Sequence, residues 1–104
     1  NFGRIFENLM FLELKRRNKE VFYFQKEKEC DFVIKQGNNV SEAIQACYQL
    51  TKENKEREIS GLLEAMKEFK LKRGLILTYE QEEELTIEGK KILIQPAWKW
   101  LLGG

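Results

Sequence analysis

The 104-residue sequence contains no histidine, a single proline and only two cysteines. Histidine is the commonest metal ligand and the usual general base, so its absence argues against a zinc site and against a cysteine–histidine catalytic pair. Cys30 and Cys47 are too few for a disulfide scaffold and form no Cys-x-x-Cys motif. A reducing, cytoplasmic setting is therefore expected.

Long apolar runs and a strong net charge are also missing. No run approaches the roughly 18 residues of a membrane-spanning helix, so no membrane partner is expected. The formal net charge is +1, which provides no overall attraction to nucleic acid or anionic lipid; binding to either needs a local patch. The start of the chain lacks both a signal peptide and an initiating methionine, so we expect a piece of a longer protein.

What the sequence does contain is enough for one folded unit. Hydrophobic residues make up 42% of the chain and aromatic residues 12%, while 34% are charged and suit a solvent-exposed surface. There is no internal repeat, low-complexity stretch or linker rich in Pro, Gly or Ser. Residues 1–104 are therefore expected to form a single α/β domain.

Periodicity predicts the order of the secondary structure elements. Apolar residues recur at helical spacing from Gly3 to about Arg17, and again from Ile59 to Phe69. Pro96 can open a short last helix. The helix before the fourth strand can act as a crossover, so we expect a mixed sheet with helices packed on it. The predicted strands are "EVFYFQK", "CDFVIKQ", "VSEAIQACYQL", "RGLILTY" and a hairpin, "LTIEGKKILIQ", with Glu88-Gly89 at its tip.

Three polar side chains stand out in the second and third predicted strands. Because side chains alternate across a strand, Asp31, Gln45 and Cys47 lie together on an exposed or cleft side if the apolar residues face the core. Neighbouring strands are about 4.8 Å apart, close enough for the three to converge. Cys30 then points away from Cys47, so we expect no disulfide. The residues expected to face inward are Phe32, Ile34, Ile44 and Ala46.

This arrangement resembles the core of PD-(D/E)XK nucleases. In that family an acid on one strand is followed on the next by Glu/Gln-x-Lys, and a helical Glu near the start often joins them; Glu7 in "RIFENL" fits that place. The resemblance implies a restriction-endonuclease-like fold, helix-β-β-β-helix-β, followed here by a C-terminal hairpin and a short helix. It also implies a Mg²⁺ site made by Asp31, Gln45 and the Ala46 carbonyl.

The phrases "GRIFENLMFLEL", "ECDFVI" and "PAWKWLL" resemble, more specifically, the C-terminal domain of a group of bacterial and archaeal AAA+-type ATPases. This resemblance covers essentially the whole chain. It implies that the partner is the ATPase domain of the same parent chain. The chain itself contains no G-x-x-x-x-G-K-[ST] motif, so no ATP site is expected within it.

The sequence departs from the nuclease pattern at two positions. The commoner pattern of the third strand is Ile-Glu-Val-Lys, whereas here Gln45 replaces Glu and Cys47 replaces Lys. A thiol with an ordinary pKa of about 8.5 cannot replace a fixed ammonium opposite a phosphate. We therefore expect a degenerate site of Glu7, Asp31, Gln45 and Cys47 that binds Mg²⁺ weakly.

Three functions follow from this interpretation. The favoured hypothesis is a nuclease-like domain with an impaired site that binds DNA or a partner protein. The alternatives are an active Mg²⁺-dependent DNA endonuclease and a protein-docking module with no nucleic-acid role.

Each site residue also has a structural interpretation: Asp31 as a hydrogen-bonded acid, Glu7 in a surface ion pair, Gln45 as a half-exposed strand residue, and Cys47 as a small buried hydrophobe. Trp98 and Trp100 suit either a helix that closes the core or a docking surface.

Overall fold

The computed structural model describes residues 1–103, which form three helices and six strands. In this part of the chain, no helix has the length and apolar character needed to span a membrane. The elements in chain order are α1 (Phe2–Arg16), β1 (Glu20–Gln25), β2 (Glu29–Gln36), β3 (Asn39–Ala46), α2 (Lys55–Glu68), β4 (Arg73–Thr78), β5 (Glu83–Ile87), β6 (Lys90–Pro96) and α3 (Ala97–Gly103).

The six strands form one mixed sheet in the order β1-β2-β3-β4-β6-β5. Strands β1, β2 and β3 pair antiparallel, β3–β4 and β4–β6 pair parallel, and β5–β6 is an antiparallel hairpin. Helix α2 connects the parallel pair β3 and β4 as a crossover. The predicted element order and the mixed sheet are confirmed.

Local sequence signals explain how several elements begin and turn. Helix α1 is capped by Asn1, whose side-chain oxygen accepts hydrogen bonds from the backbone N–H groups of Gly3 at 2.9 Å and Arg4 at 3.3 Å. The β5–β6 hairpin turns at Glu88 and Gly89, which both have positive φ values of 53° and 75°. Two-residue hairpin loops of type I′ require positive φ at both positions, so the predicted tip is confirmed.

The central strands of the sheet are buried on both faces. The expectation that four apolar residues of β2 and β3 share a core face is confirmed, and α1 packs over them. Of the two expectations for the opposite face, exposed or cleft, exposure is wrong because α2 covers the face with a second core cluster; Asp31 and Gln45 line a cleft there. The first cluster comprises Phe6, Met10, Leu14, Phe32, Ile34, Ile44, Ala46, Leu77 and Ala97. The second comprises Cys30, Val33, Ala43, Leu50, Leu62, Ala65, Met66, Ile76, Ile92 and Ile94.

Several predicted boundaries differ from the structure by one to four residues, and two of them lie near the site or the C-terminal helix. The third strand ends at Ala46 rather than Leu50, because the Ala46 N–H bonds to a side chain of β2 instead of continuing the backbone ladder. Cys47 therefore lies just beyond the strand, where its N–H donates to the Leu77 carbonyl at 2.9 Å. The last helix begins at Ala97, one residue after Pro96, which completes the pairing of β6 with β4.

Candidate functional site

Asp31 lies at an irregularity in the pairing of β1 with β2. Phe22 pairs with Val33 and Phe24 pairs with Cys30, so β2 has two residues where β1 has one. This is a β-bulge, and Asp31 is one of its two residues. A bulge redirects side chains out of strict alternation, which places this carboxyl group between the two covered faces of the sheet.

Asp31 and the end of β3 exchange hydrogen bonds through their side chains. One oxygen of the Asp31 carboxyl group, Oδ2, accepts from the Ala46 N–H at 2.9 Å, and the Asp31 N–H donates to Gln45 Oε1 at 2.8 Å. Each side chain replaces a backbone partner that the ladder would otherwise supply. The structure therefore brings Asp31, Gln45 and Ala46 together, as the sequence predicted, but in a network closed on itself.

The Gln45 amide is fully used within the protein. Its Nε2 donates to the carbonyl oxygens of Glu29 at 2.9 Å and Glu58 at 3.0 Å, and its side chain is buried, with 2% of the residue exposed. Both amide hydrogens and the amide oxygen therefore have partners. This amide ties three elements together: β3 that carries it, β2 and α2.

Burial raises the pKa of Asp31 to about 7, and the nearby carboxylates of Glu7 and Glu58 add to the effect, whereas the Ala46 N–H opposes it. Glu7 on α1 lines the same cleft as Asp31. The predicted proximity of Glu7 to the site is thus present in the structure.

Asp31 lines two clefts at once. One, of about 450 Å³, lies between α1 and strands β1 and β2 and includes Glu7 and Tyr23. The other, of about 210 Å³, lies against α2 and includes Gln45 and Glu58. The predicted partners of Asp31 therefore lie on opposite sides of it rather than around one common point.

Cys47 contributes neither a charge nor a reactive thiolate at neutral pH. Burial raises the pKa of its thiol to about 11, and the thiol donates to the Gln49 carbonyl at 3.3 Å. Cys30 is fully buried and its pKa is raised by burial to about 12. Both cysteines are free, as expected. The expectation that their side chains point in opposite directions is wrong, because both cysteines pack in or against the core cluster under α2.

The arrangement of these residues does not fit Mg²⁺. Within residues 1–103 no three side chains of the types His, Cys, Asp or Glu stand in a group that could hold a metal ion. Gln45 directs its amide hydrogens at two carbonyl oxygens, and Asp31 binds a proton near neutral pH, whereas Mg²⁺ is held by ionised carboxylate oxygen. In the folded domain, Asp31 and Gln45 form a hydrogen-bonded junction between β2, β3 and α2.

The chain matches the family model "Domain of unknown function (DUF4143)" over residues 2–100. It belongs to the DUF4143 family. It is also similar to Uncharacterized protein MJ1544 of Methanocaldococcus jannaschii, with 45% identity over 113 residues. That match covers 98% of this chain but 25% of the relative, so the chain spans a quarter of the length of a larger protein.

Two neighbours of Asp31 in this DUF4143 domain were not identified from the sequence. Glu58, in the first turn of α2, resembles any charged residue of a solvated helix face, yet burial raises its pKa. Tyr23 belongs to an aromatic run that indicated only a strand; a side-chain hydrogen bond to Glu29 is the main reason that its pKa rises to about 12. Both were missed because the bulge brings distant elements together.

Proposed function

We propose that this DUF4143 domain is a nuclease-like accessory domain of an AAA+-type ATPase, that its catalytic site is impaired, and that it works by binding a partner protein. The observation that carries the proposal is the closed hydrogen-bond network of Gln45. The family match supports the link to an ATPase, since this domain is often found at the C-terminus of ATPase-containing proteins.

Each requirement of a metal-dependent nuclease is weakened in this site. The amide oxygen of Gln45 is a neutral ligand that already accepts a hydrogen bond from Asp31. Asp31 itself holds a proton near neutral pH because it is buried. Cys47 presents a neutral thiol where the nuclease pattern has an ammonium group, so charge developing on a phosphate would lack a positive partner.

The charge around the two clefts favours a protein partner over nucleic acid. Five carboxyl groups line them against three cations: Glu7, Glu27, Glu29, Asp31 and Glu58 against Arg4, Lys28 and Arg57. Nucleic-acid binding depends on cations that neutralise phosphates and release counterions. An acid-rich lining opposes that binding, and the net charge of +1 provides no compensating field.

Plasmid nicking and Mn²⁺ calorimetry test the proposal. The unmodified domain is expected to nick no plasmid and to bind no Mn²⁺. In the double variant Gln45→Glu with Cys47→Lys, the carbonyls of Glu29 and Glu58 lose their donor and face a carboxylate. We expect this variant to melt at lower temperature without metal and to recover part of that loss in Mn²⁺.

Two controls separate the interpretations. Gln36→Glu adds the same carboxylate at an exposed position of β2 and should leave Mn²⁺ binding unchanged. Asp31→Asn on top of the double variant should abolish the Mn²⁺ effect. Nicking by the unmodified domain that Asp31→Asn removes would overturn the proposal and establish the endonuclease alternative.

A further inference from the structure

Helix α1 has an apolar face that the rest of residues 1–103 leaves largely exposed. Positions 2, 5, 9 and 12, separated by three, four and three residues, follow one side of the helix. A surface helix normally presents charged side chains to solvent. These four residues, called the α1 stripe below, are exposed instead: Phe2 72%, Ile5 55%, Leu9 54% and Leu12 53%.

Helix α2 shows that this exposure is particular to α1. On α2 the exposed positions are all charged: Glu56, Arg57, Lys67 and Glu68. Both helices bury one side against the sheet, α1 through Phe6, Met10 and Leu14. Only α1 therefore has apolar residues on two sides, which is the pattern of a helix packed between two bodies.

Other aromatic and apolar residues lie near both ends of α1. At its start, Phe2 stacks on Tyr48 with ring centroids 5.6 Å apart, and Tyr48 stacks on Tyr79 at 5.0 Å. At its other end, Arg17 lies over the Trp100 ring, 4.2 Å from the centroid, and ties α3 to the end of α1. On α3 the exposed apolar residues are Trp98 at 58%, Leu101 at 43% and Leu102 at 81%.

We propose that the α1 stripe is the surface on which the domain docks against the remaining part of its own parent chain. This rests on the proposed function, in which the domain is an accessory part of an ATPase. The chain spans 25% of the length of its M. jannaschii relative, so a comparable parent contains a much larger body of polypeptide. Polypeptide joined to Asn1 leaves the domain beside Phe2, at one end of the stripe.

That covalent connection favours the parent chain over other occupants. A tethered partner acts at an effective concentration in the millimolar range when the linker is short. A modest apolar surface is then enough, because the entropy of bringing two separate molecules together is avoided. The stripe has no fixed charges of its own with which to recognise phosphate, so nucleic acid is a poor occupant.

The test divides the parent protein into two separately expressed pieces, the chain described here and the remainder. Calorimetric titration of one piece with the other is expected to give binding that weakens at least tenfold in the variant Leu9→Ser with Leu12→Ser. Both positions are exposed, so the variant should unfold at nearly the same temperature. Phe22→Ser is the matched control: it removes a 48% exposed apolar side chain from β1, and binding should not change.

Sedimentation velocity of the chain alone identifies the competing occupant. Self-association that the Leu9→Ser, Leu12→Ser variant abolishes would overturn the inference in favour of a second copy of this chain. Absence of binding between the two pieces at millimolar concentration, the range that the tether supplies, or binding weakened equally by Phe22→Ser, would also overturn it. None of these results changes what is expected of the nicking and Mn²⁺ measurements. Failure of the docking inference is therefore distinguishable from failure of the proposed function.

Discussion

Gly61 of α2 and Glu29 of β2 are in direct backbone contact: a methyl group added at Gly61 would stand 1.9 Å from the Glu29 carbonyl oxygen. The helix approaches the sheet closely enough at this point for the Glu58 carbonyl to reach the Gln45 amide at 3.0 Å. A glycine therefore sets the distance across which the site network forms.

Gly61→Ala is expected to lower the free energy of unfolding by about 2–4 kcal/mol, since the added methyl group must push α2 away from β2 and stretch the bonds of Gln45. Urea denaturation followed by tryptophan fluorescence measures the change. Gly103→Ala is the control, because nothing lies within 4 Å of a methyl group there; it should change the free energy by less than about 0.5 kcal/mol. Equal midpoints for the two variants would show that the contact at Gly61 is not a constraint.

Asp31→Asn is expected to stabilise the domain at pH 8. The pKa of Asp31 rises from 3.8 to about 7 on folding, mainly through burial, so the protonated group favours the fold. That contribution is fully present below about pH 4 and is lost as the pH rises through about 7. Asparagine keeps an oxygen for the Ala46 N–H and carries no charge. At about 1.4 kcal/mol per pKa unit, reduced for partial exposure, the gain at pH 8 is on the order of 2 kcal/mol.

Thermal unfolding of both proteins between pH 4 and pH 8 measures this effect. The difference in melting temperature should be small at pH 4 and should grow toward pH 8. Glu80→Gln, at an exposed position, removes an acid outside the network and should show no such trend. A variant less stable than the parent at pH 8 would mean that the ionised carboxylate is the form that the fold prefers.

Arg17 and Arg16 provide a matched comparison for the attachment of α3. Both bind Glu13 at 2.7 Å, but the Arg17 side chain is 15% exposed and lies over Trp100, whereas that of Arg16 is 72% exposed. Arg17→Ala should therefore cost about 1–2 kcal/mol and speed hydrogen exchange in α3. Arg16→Ala should leave both measurements unchanged. Similar effects of the two variants would show that the Glu13 ion pair, rather than the Trp100 contact, holds the helix.

The two thiols should react slowly and in a fixed order. Burial raises the pKa of Cys47 to about 11 and of Cys30 to about 12, so at pH 8 roughly one Cys47 in a thousand is thiolate. A disulfide-exchange reagent should modify half-buried Cys47 slowly in the native domain and Cys30 only after unfolding. In urea, both should react at once. A count of no free thiols in the denatured, unreduced monomer would contradict the structure.

The sequence predicted the elements well because their signals are local. Helical spacing in α1, the Glu88-Gly89 tip and the run "RGLILTY" each specify one element without reference to the others. Burial of both sheet faces was missed although "CDFVI" is apolar at adjacent as well as alternate positions, which is typical of a strand covered on both sides. The assumption that buried and exposed side chains alternate along the strand does not hold for β2.

The site was harder to predict than the fold because its geometry depends on distant contacts. Asp31, Gln45 and Ala46 were correctly brought together, since they lie on neighbouring strands joined by a short turn. The direction of the Asp31 carboxyl group depends on a bulge opposite β1, and the role of Gln45 depends on a carbonyl of α2. Neither has a signature in the residue pattern.

The junction at Gln45 also has a consequence for the order of folding. The two halves of the sheet, β1–β3 and β4–β6, meet at the three pairs Ile44–Leu75, Gln45–Ile76 and Ala46–Leu77. Each half includes a hairpin that can form locally, whereas this seam closes only after the whole of α2 has been looped back. We therefore expect the seam to form late, so that loss of the Gln45 amide mainly accelerates unfolding and changes the rate of refolding little.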